Sequence, residues 1–205
     1  MRVVGGQLGG RRLRAPPGDA ARPTSDRVRE SLFAWLGSVE GACVLDAYAG
    51  SGAVGIEALS RGAARAVFLE RGGPSLRALR GNLHSLAVEA RCRVLPGDAV
   101  ASIRRLGREG ERFDLVFLDP PYASGEAARA LAAIVAAGLL APGGTLVAEA
   151  ARRHPLPAVA GLLVLEERRY GDTTLTRLAA AAKAPAAEPG PAHPGRDPTG
   201  GSTEA

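Results

Sequence analysis

The chain is 205 residues long, 46% hydrophobic and 23% charged, the balance of one globular domain with a sizeable core. It has no run of about 18 apolar residues, and "MRVVGGQLGGRRLR" holds no apolar h-region, so neither a membrane span nor a secretory signal is expected. The net charge is +5, and Lys183 is the single lysine among 26 basic residues, a skew that fits a GC-rich genome more than RNA recognition.

Charge placement says more than charge type. Residues 1–30 carry Arg2, Arg11, Arg12, Arg14, Arg22, Arg27 and Arg29 against Asp19, Asp26 and Glu30, so nearly all the excess lies on the first sixth of the chain. Residues 1–24 therefore read as a basic arm, either a phosphate-binding extension or a solvated, disordered terminus. After "RPTSD" comes an amphipathic helix, with Val28, Leu32, Trp35 and Leu36 on its inner face, Arg27, Arg29 and Glu30 outside, and Thr24 or Ser25 as cap.

From there strands and helices alternate. Strands are expected at 42–47, 65–70, 92–99, 113–119 and 144–150, with helices through about Arg61, over 74–88, after Asp98 and over 125–138. This alternation implies βαβ units and a mostly parallel sheet with both faces covered, an α/β domain over 25–179. "LLVLEERRY" and "TTLTRL", joined by Gly171 and Asp172, read instead as a closing antiparallel hairpin. Residues 180–205, rich in Ala, Pro and Gly without apolar period, are expected to be disordered. Cys43 and Cys92 stand alone and read as buried thiols of a reducing, cytoplasmic compartment; no metal site is expected.

"LDAYAGSGAVG" carries Gly50, Gly52 and Gly55 between a strand and a helix, and Glu70 closes the next strand. Glycines let a ligand approach the backbone, and the acid can take both ribose hydroxyls, a logic shared by dinucleotide and S-adenosylmethionine sites. Asp46 favours the second, because a carboxylate there suits a cation and is badly placed beside a pyrophosphate. A purely structural turn is the plainer alternative. Asp98 can accept from an adenine amine or cap the following helix. Asp46, Glu70, Asp98 and Asp119 each close a strand, so the four should ring one rim of the sheet.

"FLDPPYA" ends the fourth strand. Two prolines stiffen the chain, and either make a rigid loop exit or hold the Asp119 carboxylate and Pro120 carbonyl ready for both N–H groups of an exocyclic amine. Tyr122 can then stack on a flipped base.

"DPPY" resembles the (N/D)PP(Y/F) motif of amino-group methyltransferases. Together with "RVVGGQLGGRRLRAP", "RPTSDRVRESLF", "LDAYAGSGAVGIEALSRGA" and "RRYGDTTLTRL", in that order over residues 2–178, it is similar to the bacterial 16S ribosomal RNA guanine-N2 methyltransferases. The resemblance implies a Rossmann-like class I methyltransferase with a seven-stranded sheet, using S-adenosyl-L-methionine. It implies cofactor contacts at Asp46, Tyr48, Gly50, Gly52, Glu70, Asp98 and Asp119, and catalysis at Asp119, Pro120, Pro121 and Tyr122. It further implies RNA contacts at Arg11, Arg12, Arg22, Thr24, Arg27 and Arg29. The target would be 16S rRNA in the small ribosomal subunit or its assembly intermediate, with the enzyme a monomer that contacts no membrane and no metal. Where the family often has an acid two residues after the ribose-binding Glu, this chain has Gly72, which is expected to weaken the cofactor site or loosen its loop. DNA adenine N6 and protein glutamine are the competing acceptors, against which stand the short loops and the basic arm. An NAD-dependent oxidoreductase or a non-catalytic RNA-binding module is the remaining alternative.

Overall fold

The apolar runs of the sequence join in one seven-stranded sheet in the computed structural model, which describes residues 1–16, 26–121 and 125–181. In chain order the elements are α1 (Asp26–Leu36), β1 (Cys43–Ala47), α2 (Ala53–Ser60), β2 (Arg65–Glu70), α3 (Gly73–Ser85), β3 (Cys92–Pro96), α4 (Ala99–Arg108), β4 (Phe113–Leu118), α5 (Glu126–Ala136), β5 (Leu140–Ala151), β6 (Leu162–Tyr170) and β7 (Thr173–Ala180). The strand order is β3-β2-β1-β4-β5-β7-β6, and β7 runs antiparallel to both of its neighbours. The third strand is shorter than the sequence suggests because Gly97, at φ +119, turns the chain before Asp98 caps α4. The fifth is longer, starting at Leu140. The tail expected to be disordered from residue 180 begins later: Ala180 closes β7 and the Ala181 amide donates to the Gly161 carbonyl at 2.9 Å, while residues 182–205 lie outside the described residues. Among the described residues no helix is long and apolar enough to cross a membrane.

Side chains alternate across each strand, so the sheet has two cores. Val44, Phe68, Leu115, Phe117 and Val147 pack against α1, α2 and α3. Leu45, Val67, Val116, Leu118 and Ala148 pack against α4 and α5. Helices on both faces are what a parallel sheet requires, and β1 and β4 are accordingly buried almost throughout. The order reverses between β1 and β4, so their carboxyl ends lie side by side at the switch point, and the Asp119 amide reaches the Ala47 carbonyl at 3.4 Å. Trp35 of α1 braces the far hairpin: its Nε1 donates to Glu166 at 2.7 Å, and the Arg168 guanidinium lies 4.8 Å above its ring.

The described part of the arm, residues 1–16, folds back and completes the first core. Arg2 pairs with Arg12 in an antiparallel bridge, and Val3 and Leu13 are buried with Leu32 and Phe33. The buried Glu57 of α2 accepts the Val4 and Gly5 amides at 2.7 and 2.8 Å, and Ser60 Oγ accepts from Leu8 at 2.9 Å. Gly6 adopts φ +75, and a Cβ there would collide with the Ser60 carbonyl. "GGQLGG" is thus a docking loop, with the arm integral to the domain rather than an appendage ahead of it.

This packing corrects one reading of α1. Arg29 is fully buried, not turned outward. Its guanidinium donates to the Arg2 carbonyl and, at 2.9 Å, to Asp26. Helical periodicity placed it outside because the surface that covers it comes from the arm. The cysteines also differ from expectation: both are free and half-buried, and burial pushes the Cys92 thiol up to about 11.

Candidate active site

The glycine loop is shaped from below. After β1 the chain turns sharply through Tyr48, at φ +65, and Gly52, at φ +81, becomes the N-cap of α2. A Cβ at Gly52 would strike Leu79, and one at Gly55 would strike the Phe68 ring, so these two glycines serve helix packing. Gly50 differs: nothing lies within 4 Å of where its Cβ would be, so its backbone faces open space.

Asp46 lies beneath this loop rather than on an open rim. It is 2% exposed, and its Oδ2 accepts from the Gly55 amide at 2.8 Å in the first turn of α2. Burial pushes its carboxyl up to about 7; the Gly55 amide opposes the shift and Glu70 adds to it. Glu70 ties two turns together, accepting from Gly50 at 2.7 Å and from Gly72 at 2.6 Å. The Gly72 amide fixes the Glu70 carboxylate, and Gly72 N-caps α3. Asp98 caps α4, with Oδ1 accepting from Ala101 at 2.8 Å.

Asp46, Tyr48, Gly50, Glu70, Asp98, Asp119, Pro120 and Pro121 all line one cavity of about 460 Å³, with Val54, Leu69 and Phe117 as apolar wall. The four strand-end carboxylates do converge. Gly52 stands behind the wall. Tyr122 lies outside the described residues, as do Arg22 and Thr24. Arg71 is the one cationic lining residue among those described, and it pairs with Glu126 of α5 at 3.2 Å. Tyr48 is half-buried and its hydroxyl is pushed up to about 12, chiefly by that burial.

Asp119 follows β4 directly. Burial holds its carboxyl well above the usual carboxylate range, and the nearby charges of Glu149 and Asp46 push it further. Sequence reading passed over three residues here. Glu149 sits in "TLVAEA" and is 5% exposed, Glu57 anchors the arm, and Asn82 joins the arm to α3 and to the Ser51 carbonyl. An acid or amide inside an apolar run was the available signal for each. Of the arginines assigned to RNA, Arg11, Arg12 and Arg27 are exposed, and Arg29 is spent internally.

The strand order, the glycine loop after β1 and the carboxylates at the strand ends define a Rossmann-like class I methyltransferase. Within that class the family model described as Conserved hypothetical protein 95 matches residues 1–179, and the chain belongs to this family. Its relatives include ribosomal RNA small subunit methyltransferase D of Escherichia coli (strain K12), 36% identical over 180 residues that span 87% of this chain and 88% of that one. YlbH of Bacillus subtilis (strain 168) is 37% identical over 175 residues, 84% of this chain and 95% of its own. Among solved structures, YhhF from Escherichia coli superposes with a TM-score of 0.79 at 34% identity, covering 89% of this chain and 99% of the other.

Proposed function

We propose that the protein transfers a methyl group from S-adenosyl-L-methionine to the exocyclic N2 of a guanine in 16S rRNA, acting on the small subunit or its assembly intermediate. The observation that carries this reading is the convergence of four strand-end carboxylates and an open glycine turn on one cavity beside Asp119-Pro120, in a chain of this family.

The donor set fits a cationic nucleoside. A pyrophosphate would face Asp46, Glu70, Asp98 and Asp119, whereas a sulfonium and an amino group are attracted to them. Glu70 keeps lone pairs for ribose hydroxyls beyond its two amide bonds, and Asp98 Oδ2 can accept from an adenine amine. When bound, the sulfonium supplies an electrophilic methyl group whose bonding pair stays on sulfur.

The rest falls to this chain. An aryl amine is a weak nucleophile because its lone pair is delocalised into the ring. The Asp119 carboxylate and Pro120 carbonyl accept its two N–H bonds and favour a pyramidal nitrogen, and the proline pair holds both acceptors in advance. Asp119 then takes the proton that the methylated nitrogen must lose. Tyr122 stacks on the base, and Arg11, Arg12, Arg22, Thr24 and Arg27 meet RNA phosphates. Incubation with labelled cofactor and small subunits lacking the modification should place label on guanine N2. Label on another base, or on protein alone, would sink the reading.

A further inference from the structure

Asp119 does not stand alone at its strand end. β4 pairs Phe117 with Val147 and Leu118 with Ala148, so the next residue on each strand is Asp119 and Glu149. β1 pairs Asp46 with Phe117, and alternation then puts Asp46, Asp119 and Glu149 on the same face of the sheet. Glu149 does not line the cavity; it is 5% exposed and lies opposite the buried Leu175 of β7. A carboxylate at such a position carries a desolvation cost that an apolar side chain would avoid.

We propose that Glu149 is a positioning residue for methyl transfer, its charge beside Asp119 keeping the Asp119 carboxylate a strong proton acceptor. The proposal rests on the acceptor role given to Asp119 above. The charge balance is simple. As the amine lone pair forms the N–C bond and the C–S pair stays on sulfur, nitrogen is left with a proton in excess. That proton passes to Asp119 Oδ and on to water. A carboxylate of ordinary acidity is a poor base at neutral pH, and the rate of such a transfer follows basicity. The groups around Asp119 agree with this. β1 contributes Asp46 and β5 Glu149, the two charges that act on it, while Tyr48, just after β1, and Glu70 of β2 line the same cavity. Arg71, the cation that lines this cavity among the described residues, pairs with Glu126 of α5 at 3.2 Å, and Arg129 lies 3.8 Å from the same carboxylate. Burial comes first in raising the Asp119 carboxyl and Glu149 is the larger of the two charges that add to it.

The test follows the Asp119 γ-carboxyl by ¹³C NMR in the full-length, ligand-free protein, its resonance assigned by its loss in Asp119→Asn. In Glu149→Gln the titration should move to lower pH, and in Glu149→Asp, which keeps the charge, it should stay near the wild-type position. In methyl transfer, the ratio of Glu149→Gln to wild-type kcat should rise about threefold or more between pH 8 and pH 6. A folded Glu149→Gln with an unmoved Asp119 titration overturns the proposal. Should that variant not fold, the wild-type protein decides: the Asp119 and Glu149 carboxyl resonances should each respond at the other's midpoint, and two independent single curves overturn it. The NMR result stands whether or not guanine N2 is the acceptor, so failure here and failure of the functional reading are separable.

Discussion

Asn82 holds Arg14 by both of its backbone groups: Oδ1 accepts from the Arg14 amide at 2.8 Å, and Nδ2 donates to the Arg14 carbonyl at 3.0 Å. The same Nδ2 donates to Ser51 in the glycine loop at 3.0 Å. One buried side chain thus splices the arm to the wall of the cavity. Asn82→Leu keeps the volume but strands these groups, at a cost of roughly 3 kcal/mol. Urea denaturation should show that loss, and calorimetry with S-adenosylhomocysteine should show weaker binding. Unchanged affinity would mean the loop holds its shape without the arm.

The arm's second anchor is Glu57, whose two oxygens take the Val4 and Gly5 amides while Oε1 also meets Arg61 at 2.8 Å. Glu57→Gln presents a donor to one of those amides. It should cost about 2–4 kcal/mol and undock residues 1–14. Trypsin would then cut at Arg11 and Arg12 in minutes where the native protein resists. RNA affinity should fall as well, although Glu57 is fully buried.

Arginines in the same stretch should separate by assay. Replacing Arg11 and Arg12 with Ala should weaken RNA binding and reduce the slope of log K against log salt by up to about 2, with little loss of stability. Arg29→Ala should instead cost roughly 2–4 kcal/mol, because it empties a fully buried position and removes the donor to the Arg2 carbonyl and one of the two cations at Asp26. A salt slope unaffected by the first pair would show that the arm does not touch phosphate.

Asp46 makes stability depend on pH in a direction opposite to most carboxylates. Its folded value, about 7, lies above the unfolded value of about 3.9. The folded state therefore binds the extra proton between these limits. Stability from this group is complete below about pH 4 and is lost as pH rises through 7. Asp119, also raised, acts with the same sign. Thermal melts of ligand-free protein should fall across this window, and Asp46→Asn should flatten the fall. A bound cation favours ionised Asp46, so cofactor affinity should climb toward pH 7 with proton release. Identical binding heats in buffers of different ionisation enthalpy would contradict this.

Asp119→Ala should abolish transfer while leaving cofactor affinity within about tenfold, because its main bond is to the acceptor amine. Equilibrium dialysis separates the outcomes. A collapse of cofactor binding would move Asp119 to the cofactor site.

Much of the fold was legible because its signals are local. The strand–helix alternation, the hairpin at Gly171 and the four strand-end acids each follow from short-range period and turn chemistry. What escaped depends on distant chain segments. Arg29 looks outward on a helical wheel until the arm covers it. Val3 and Leu13 show no period because they are held by glycine turns and by Glu57, some 50 residues away. Glu149 was read as part of an apolar strand, and only the β4–β5 register sets it beside Asp119.

The sheet closes in an order unlike the order of synthesis. β6 is made before β7, yet its sole neighbour is β7, and β5 waits for the same strand. A nascent chain that has reached Tyr170 thus carries an open edge along β5 and, in β6, nine residues including Leu163, Val164 and Leu165 with nothing to pair with. Only when Thr173–Ala180 slots between them is the β5 edge covered and β6 paired along one side, with β6 left as the outer strand of the sheet. Premature termination in the last dozen residues of the domain would therefore yield not a slightly shorter enzyme but a sticky, half-closed sheet, and completion of this protein is a single late event rather than a gradual one.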